Sequence, residues 1–409
     1  MKIKDIKARE ILDSRSNPTV EVKMILENGV MAIASVPSGA STGSREAIEL
    51  RDGDERFHGK GVLNAVNNVN EIIRPALVGK ELILEDVDKV ILELDGTDNK
   101  SKLGANAILA VSLASIKCLA KLEDKELYEY LEGDKTLPIP MINVINGGKH
   151  ADNNLDIQEF MIVPLLGDEH DKVRAASEIF ITLKKMLNDG GYATGVGDEG
   201  GFAPNLENNE AGFKYLVEAI EKSGYVPGKD VALAIDVAAS EMFDKEEQRY
   251  LLDGNKITID ELMNYYINLV DKYPIISIED PFHEDDVESF KVITEKIGDR
   301  VMIVGDDFFV SQARYLQMGI DNGAANAILL KANQVGSVTE FLETIKLARE
   351  NDYKMIISHR SGETEDTFIA DFAVGLGIPF IKTGSVSRGE RVAKYNRLLA
   401  IEDELNDKN

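Results

Sequence analysis

Between residues 19 and 36 the chain reads TVEVKMILENGVMAIASV, with apolar side chains at every second position. Val20, Val22, Met24 and Leu26 form one set; Val30, Ala32, Ala34 and Val36 form another after Asn28-Gly29. Alternation of period two predicts a pair of half-buried strands, and Asn-Gly between them predicts a tight hairpin. Farther on the spacing becomes helical. Val62, Ala65, Val66, Val69, Ile72 and Ile73 fall on one stripe, and NAILAVSLASIKCLAKL, from 106 to 122, is apolar over an arc wide enough to be buried. A small antiparallel sheet covered by helices follows.

Leu137-Pro138-Ile139-Pro140 disfavours helix before each proline, which suits a boundary, with a linker near 130 to 138. This divides the chain into an α+β unit, residues 1–130, and a second unit, residues 138–409. In the second, helical patterns alternate with the short apolar runs VALAI, IISI, VMIV, NAILL, KMII and PFI, the signature of parallel β/α units. Just past these runs stand Asp236, Glu279, Asp306, Lys331, His359 and Lys382, in that order. In a closed parallel barrel all such strand ends lie on one rim, where active sites are built. Polar residues also mark where any strand stops, but three acids and two lysines in succession are more selective than that. The pattern identifies a barrel enzyme and no particular reaction.

Length and charge narrow the class. A chain of 409 residues with 44% hydrophobic side chains can bury a large core, and its net charge of −26, from 46 basic and 72 acidic groups, repels phosphate backbones and anionic lipid. Nucleic acid and membrane are not expected partners. The longest uncharged apolar run, Leu103 to Ile116, falls short of the roughly 20 residues that span a bilayer. A single cysteine, Cys118, and charges throughout MKIKDIKARE predict a cytoplasmic protein.

Three carboxylates brought together on a rim repel one another by several kcal/mol (order of magnitude) unless a cation or protons intervene. All-oxygen ligation by Asp236, Glu279 and Asp306 favours Mg²⁺, because one cysteine and five histidines offer no familiar zinc spacing. Lys331 and Lys382 would face the same cavity, where a metal ion and a second ammonium lower a lysine pKa toward neutrality and prepare it to take a proton from carbon. The alternative for either lysine is plain neutralisation of the acids. His150, Gln158 and Glu159 come from GGKHADNNLDIQEFM, and Glu199 from GVGDEGGFAPN. The latter contains G-x-G-x-x-G, but a helix precedes it and Phe202-Ala203-Pro204 follows, so its glycines are read as bending the chain to aim Glu199 inward and not as a dinucleotide fingerprint. Pro37 to Gly43, a run of small residues, is either an inert loop or a lid that brings hydroxyls to an anion or a second metal.

Several of these stretches together resemble the enolase family. They include DSRSNPTVE from 13, PSGASTG from 37, GGKHADN from 147, QEFM from 158, GDEGGFAPN from 197, IDVAASE from 235, SIEDPF from 277, VGDD from 304, LLKANQVGS from 329, SHRSGETEDT from 358, KTGS from 382 and AKYNRLLAIE from 393, in family order over nearly the whole chain. The resemblance implies an α/β protein, an N-terminal α+β domain followed by a C-terminal β/α barrel of the enolase type whose first strands run in a modified order. It implies reversible dehydration of 2-phospho-D-glycerate to phosphoenolpyruvate in glycolysis and gluconeogenesis, with two Mg²⁺ per site, and a homo-oligomer, dimer or octamer. Carried over by motif, Asp236, Glu279 and Asp306 hold the first Mg²⁺ and Ser41 helps bind the second. Lys331 is implied as the base at C2 and Glu199 as the acid for the departing hydroxyl, with Glu159 beside it. His150, Gln158, His359, Arg360, Ser361 and Lys382 are implied to contact or orient the substrate. Ser16, Gly389 and Phe380 depart from the family pattern, and none has an assigned chemical role.

Two other readings compete. Another Mg²⁺-dependent superfamily member, a sugar-acid dehydratase or racemase, would share the rim but not Arg360, Ser361 and PSGASTG, which suit phosphate and a second metal. A non-catalytic binding role would be favoured by loss of a catalytic residue, and the motifs keep them all.

Overall fold

A computed structural model describes residues 1–40 and 43–408. The hairpin forms as its alternation predicts. Strands β1 (Ile3–Leu12), β2 (Pro18–Leu26) and β3 (Met31–Ser35) make an antiparallel sheet in that order, and Val20, Val22, Met24 and Leu26 are fully buried. Gly29 takes φ +89° at the turn, a region open to glycine at little cost. Ser16, where the family pattern has glycine, is also in the left-handed region at φ +62°. There an L side chain carries a cost of about 1–2 kcal/mol.

The buried face of β2 and β3 is covered by the helix Ala105–Leu122. By length and composition this helix could cross a membrane, so the expectation that the stretch is too short does not hold for the helix as formed. Its apolar arc is instead spent on the core of this unit, with Cys118 buried beside Met24. One residue of the other predicted stripe is misplaced. Val62, Ala65, Val66, Val69 and Ile73 are buried, but Ile72 is 37% exposed. A π-helical turn, Asn68–Ile73, widens the helix so that Val69 and Ile73 hold the inner face and Ile72 is turned outward.

After residues 131–138, which form neither helix nor strand, the second unit closes as an eight-stranded barrel. Its strands are β4 (Ile139–Asn146), β5 (Glu159–Pro164), β6 (Val231–Asp236), then, beyond a small antiparallel sheet of β7 (Phe243–Asp244), β8 (Arg249–Leu252) and β9 (Asn255–Ile257), the strands β10 (Ile275–Glu279), β11 (Met302–Gly305), β12 (Ala327–Leu330), β13 (Lys354–Ser358) and β14 (Phe380–Lys382). Around the ring they run β10-β11-β12-β13-β14-β4-β5-β6. Met141, Met161, Val163, Ala234, Leu329 and Ile356 pack inside the barrel, while Ile142, Ile162, Leu233, Ile235, Ile328 and Ile357 pack into the surrounding core. Burial on both faces is why these strands read as unbroken apolar runs.

All neighbours are parallel except those of β5, which is antiparallel to both β4 and β6. This reversal matters for the site. Registers Asn146↔Glu159 and Glu159↔Asp236 bring the first residue of β5 to the rim where its neighbours end.

The two units are fastened at this rim. Ser38 and Gly362 exchange backbone hydrogen bonds of 2.8 Å in both directions, and Lys117 on the long helix pairs with Asp366 at 2.6 Å.

Candidate active site

Asp236, Glu279 and Lys382 are the last residues of β6, β10 and β14; Asp306, Lys331 and His359 directly follow β11, β12 and β13. All six are largely buried, and the rim order expected from the apolar runs is the order found. Lys382 crosses the barrel mouth: its Nζ lies 2.8 Å from Glu279 Oε2, and 3.1 Å from both Asp236 Oδ2 and Glu159 Oε1. Gln158 Nε2 donates to the same Asp236 oxygen at 3.1 Å.

Beside this cluster, Lys331 Nζ is 2.5 Å from Asp306 Oδ2, and Gln334 Nε2 donates to Asp306 Oδ1 at 3.0 Å. Burial alone would lower the pKa of either lysine. Attraction to Asp306 outweighs it at Lys331, and Asp236, Glu159 and Glu279 outweigh it strongly at Lys382, so both stand above the ordinary value. Direct contact with carboxylate is what raises each ammonium; the expected shift toward neutrality belongs to a site that also holds the metal ion. Glu279 is raised as well: burial and the adjacent Asp236 push it well above the usual carboxylate range, which for a carboxyl favours the neutral form.

Across the mouth, Glu199 is surrounded by nitrogen. Asn143 Nδ2 donates to Oε2 at 3.0 Å, His150 Nδ1 is 3.5 Å from Oε2, and His359 Nε2 is 3.4 Å from Oε1. The fully buried Arg391 donates Nη1–H to His359 Nδ1 at 2.6 Å. A guanidinium has only donors, so Nδ1 must accept and the imidazole proton must sit on Nε2, facing Glu199. Burial lowers the His359 pKa to about 4, and His150 is lowered for the same reason, so both rings are neutral near pH 7. Burial would also raise Glu199, but the neighbouring nitrogens prevail and hold it well below its ordinary value. Glu159, buried and facing Glu199, Asp236 and Glu279, is pushed well above its own. His150 Nδ1 stands between the two, 3.6 Å from Glu159 Oε1.

The backbone that aims Glu199 inward depends on Gly200. It has φ +88°, and a Cβ there would meet Ser387 O at 2.6 Å. This agrees with the sequence reading of those glycines.

Arg360 and Ser361 lie where the barrel meets the N-terminal unit. Arg360 is 3% exposed and is held by Glu46 at 3.0 and 3.1 Å and by Asn333 Oδ1 at 3.1 Å. Ser361 Oγ accepts the Ala40 N–H at 2.6 Å. The segment Pro37 to Ala40 is thus seated on the barrel loop, whereas Ser41, named for the second metal, lies outside the described residues.

Several of these partners carried no sequence signal. Glu46, Asn143 and Arg391 are joined to the site only by tertiary contact. Asp280 follows Glu279 inside a quoted motif, and its two oxygens accept the Asp306 and Asp307 N–H groups, each at 2.8 Å. It shapes the turn that presents Asp306.

Among the described residues, metal-capable atoms lie within 4.8 Å of one another in three groups: Asp280, Asp306 and Asp307; His150, Glu159 and Glu199; and His283, Glu284 and Asp285. The sequence-derived trio is not drawn as tight, because Lys382 gathers Asp236 and Glu279 while Lys331 and Gln334 take Asp306. The trio nevertheless fits Mg²⁺. Its members stand at the ends of three strands that neighbour one another in the ring, all are buried, and all offer only oxygen.

Residues 134–409 match the family model described as enolase, C-terminal TIM barrel domain, and residues 3–131 match enolase, N-terminal domain. Both matches together span almost the full chain and agree with the closed barrel and its small N-terminal sheet. The chain belongs to the enolase family, whose fold carries a magnesium-dependent, lyase-type reaction on a small-molecule substrate.

Proposed function

We propose that this enzyme catalyses the reversible dehydration of 2-phospho-D-glycerate to phosphoenolpyruvate, acting in glycolysis and gluconeogenesis as a cytoplasmic homo-oligomer. The observation that carries the reading is the placement of Lys331 and Glu159. They stand four strands apart in a ring of eight, on facing walls of one mouth. A base on one wall and an acid pair on the other suit an elimination in which a proton leaves one face of the substrate and a hydroxyl the other.

In this reading Lys331 Nζ accepts the C2 proton, the released electron pair becomes the C2–C3 double bond, and the C3 hydroxyl departs as water with a proton from the Glu159–Glu199 pair. Magnesium held by Asp236, Glu279 and Asp306 would supply fixed positive charge beside the substrate carboxylate, where negative charge accumulates. Lys331 needs its own contact with Asp306 loosened before it can serve as base. His150, between the two glutamates, is placed to pass a proton to Glu199, which its surroundings hold ionised. Arg360 and Ser361, at the border with the N-terminal unit, supply the charge and hydroxyl that a phosphate requires. Lys382 adds positive charge at the carboxylate end.

The test is formation of the enol phosphate, followed by its ultraviolet absorbance, from 2-phosphoglycerate with Mg²⁺. Absorbance growth that stops with chelator supports the reading. No product from 2-phosphoglycerate, with turnover of a non-phosphorylated sugar acid instead, would overturn it.

A further inference from the structure

Arg391, on the helix Gly389–Asp407, is fully buried, and its two terminal nitrogens are spent on acceptors from two parts of the site. Nη1 donates to His359 Nδ1 and to Arg360 O, both at 2.6 Å; Nη2 donates to Ser361 O at 2.6 Å and to Asp198 O at 3.1 Å. The carbonyls join the loop that follows β13 to Asp198, the residue before Glu199, as any structural arginine could. The remaining acceptor is a titratable ring nitrogen, and that contact has chemical consequences. The pair is closely packed, since a Cβ on Gly384 would meet Arg391 Cδ at 2.9 Å and His359 Cε1 at 3.1 Å. One helical turn farther on, the fully buried Lys394 donates to Thr364 O at 2.6 Å and pairs with Glu363 at 3.0 Å, which holds the far end of the same loop.

We propose that Arg391 is a positioning residue that commits His359 to the Nε2–H form, making it a fixed hydrogen-bond donor at the barrel mouth and barring it from proton transfer. This rests on the functional reading only for the placing of Glu199 on the acid side. A neutral imidazole has one ring nitrogen free to accept, and here the guanidinium occupies it. His359 Nε2, 3.4 Å from Glu199 Oε1, then has a proton to donate and no lone pair with which to take one. His150 differs, because among the described residues no donor bonds its Nδ1, which lies between Glu159 and Glu199. Of the two rings beside Glu199, His150 is left to move protons and His359 to hold an oxygen in place. The charged groups facing His359 are Glu199, Arg391 and Glu363; burial and Arg391 oppose an imidazolium there, and the two carboxylates favour it.

The experiment reads the tautomer itself. Solid-state carbon and nitrogen magnetic resonance spectra of the full chain, isotope-labelled at histidine, are recorded from about pH 5 to 8 for the wild type, Arg391→Met and Arg391→Lys, with His359→Asn to identify the His359 signals. The kcat and KM for 2-phosphoglycerate with Mg²⁺ are measured over the same range. Wild-type His359 should carry its proton on Nε2 alone at every pH. Arg391→Met, which removes the donor, should populate the Nδ1–H form or a charged ring within that range, and should lower kcat by about tenfold or more while KM stays within about threefold. Arg391→Lys keeps a cation able to donate and should stay nearer the wild type in both. A role in folding alone would reduce stability and leave the His359 tautomer of folded Arg391→Met unchanged. That outcome, or a wild-type His359 protonated on Nδ1 between about pH 5 and 8, would overturn the proposal. If Arg391→Met does not fold, the wild-type and Arg391→Lys spectra still decide. The spectra need no turnover, so a wild type that leaves 2-phosphoglycerate unchanged would count against the functional reading instead.

Discussion

Lys382 Nζ lies 2.8 Å from Glu279 Oε2, although the strands that carry them, β14 and β10, face each other across the barrel ring. The side chain spans the mouth and serves as a cation shared by Glu279, Asp236 and Glu159. Breaking such a buried pair from one side leaves uncompensated charge, at a cost of about 3–5 kcal/mol. Lys382→Met should accordingly lower the unfolding free energy by that order, and added Mg²⁺ should recover part of it by binding the freed carboxylates. Thermal or urea unfolding with and without Mg²⁺ measures both. Equal destabilisation in the two conditions would show that these carboxylates do not take up the ion.

His359 gives a pH dependence with a definite sign. Its folded pKa is about 4, depressed by burial, against about 6.5 in an unfolded chain. Between these values the unfolded state binds the extra proton, so stability must fall as pH drops from about 6.5 toward 4, by about 3 kcal/mol from this group. Removing the group by His359→Asn should flatten that part of the profile, whatever it does to the absolute stability. Urea unfolding at several pH values from 4 to 7 provides the comparison; identical slopes for the two proteins would contradict the burial argument.

Asp306 and Asp280 should separate binding from shaping. Asp306→Ala removes a proposed ligand and should weaken Mg²⁺ binding at least tenfold by calorimetry. Asp280→Ala leaves the Asp306 and Asp307 N–H groups without their acceptor, which costs about 1–3 kcal/mol each in a buried setting, and loosens the turn. It should therefore lower stability more than Asp306→Ala does. The reverse order in both measurements would assign the metal to Asp280 instead.

Some of this architecture could be read directly from the chain. Asp236, Glu279, Asp306, Lys331, His359 and Lys382 were legible as a rim because a parallel strand buried on both faces is apolar until it ends, so the first polar residue marks the mouth. The direction of β5 was not legible from hydropathy, since an apolar run buried on both faces does not say which way its strand points; only the family resemblance implied altered strand order. Contacts such as Glu46 with Arg360, 314 residues apart, follow no spacing rule. The carboxylate partners of the two lysines were not legible for a physical reason: sequence places charges near one another but cannot say which pair will touch. Ile72 was lost to a π-helical turn that no apolar period announces.

The opposed placement of Lys331 and the Glu159–Glu199 pair is best tested by watching each half of the elimination alone. The measurement is exchange of the C2 hydrogen of 2-phosphoglycerate with deuterated water, set beside net turnover, in Lys331→Ala and Glu199→Gln. Lys331→Ala should lose both by about a hundredfold or more, the usual size of a general-base effect. Glu199→Gln should lose turnover to a similar degree yet keep substantial exchange, because proton removal at C2 does not need the acid. Wild-type exchange in Lys331→Ala would contradict the account and move the base to the glutamate side of the barrel.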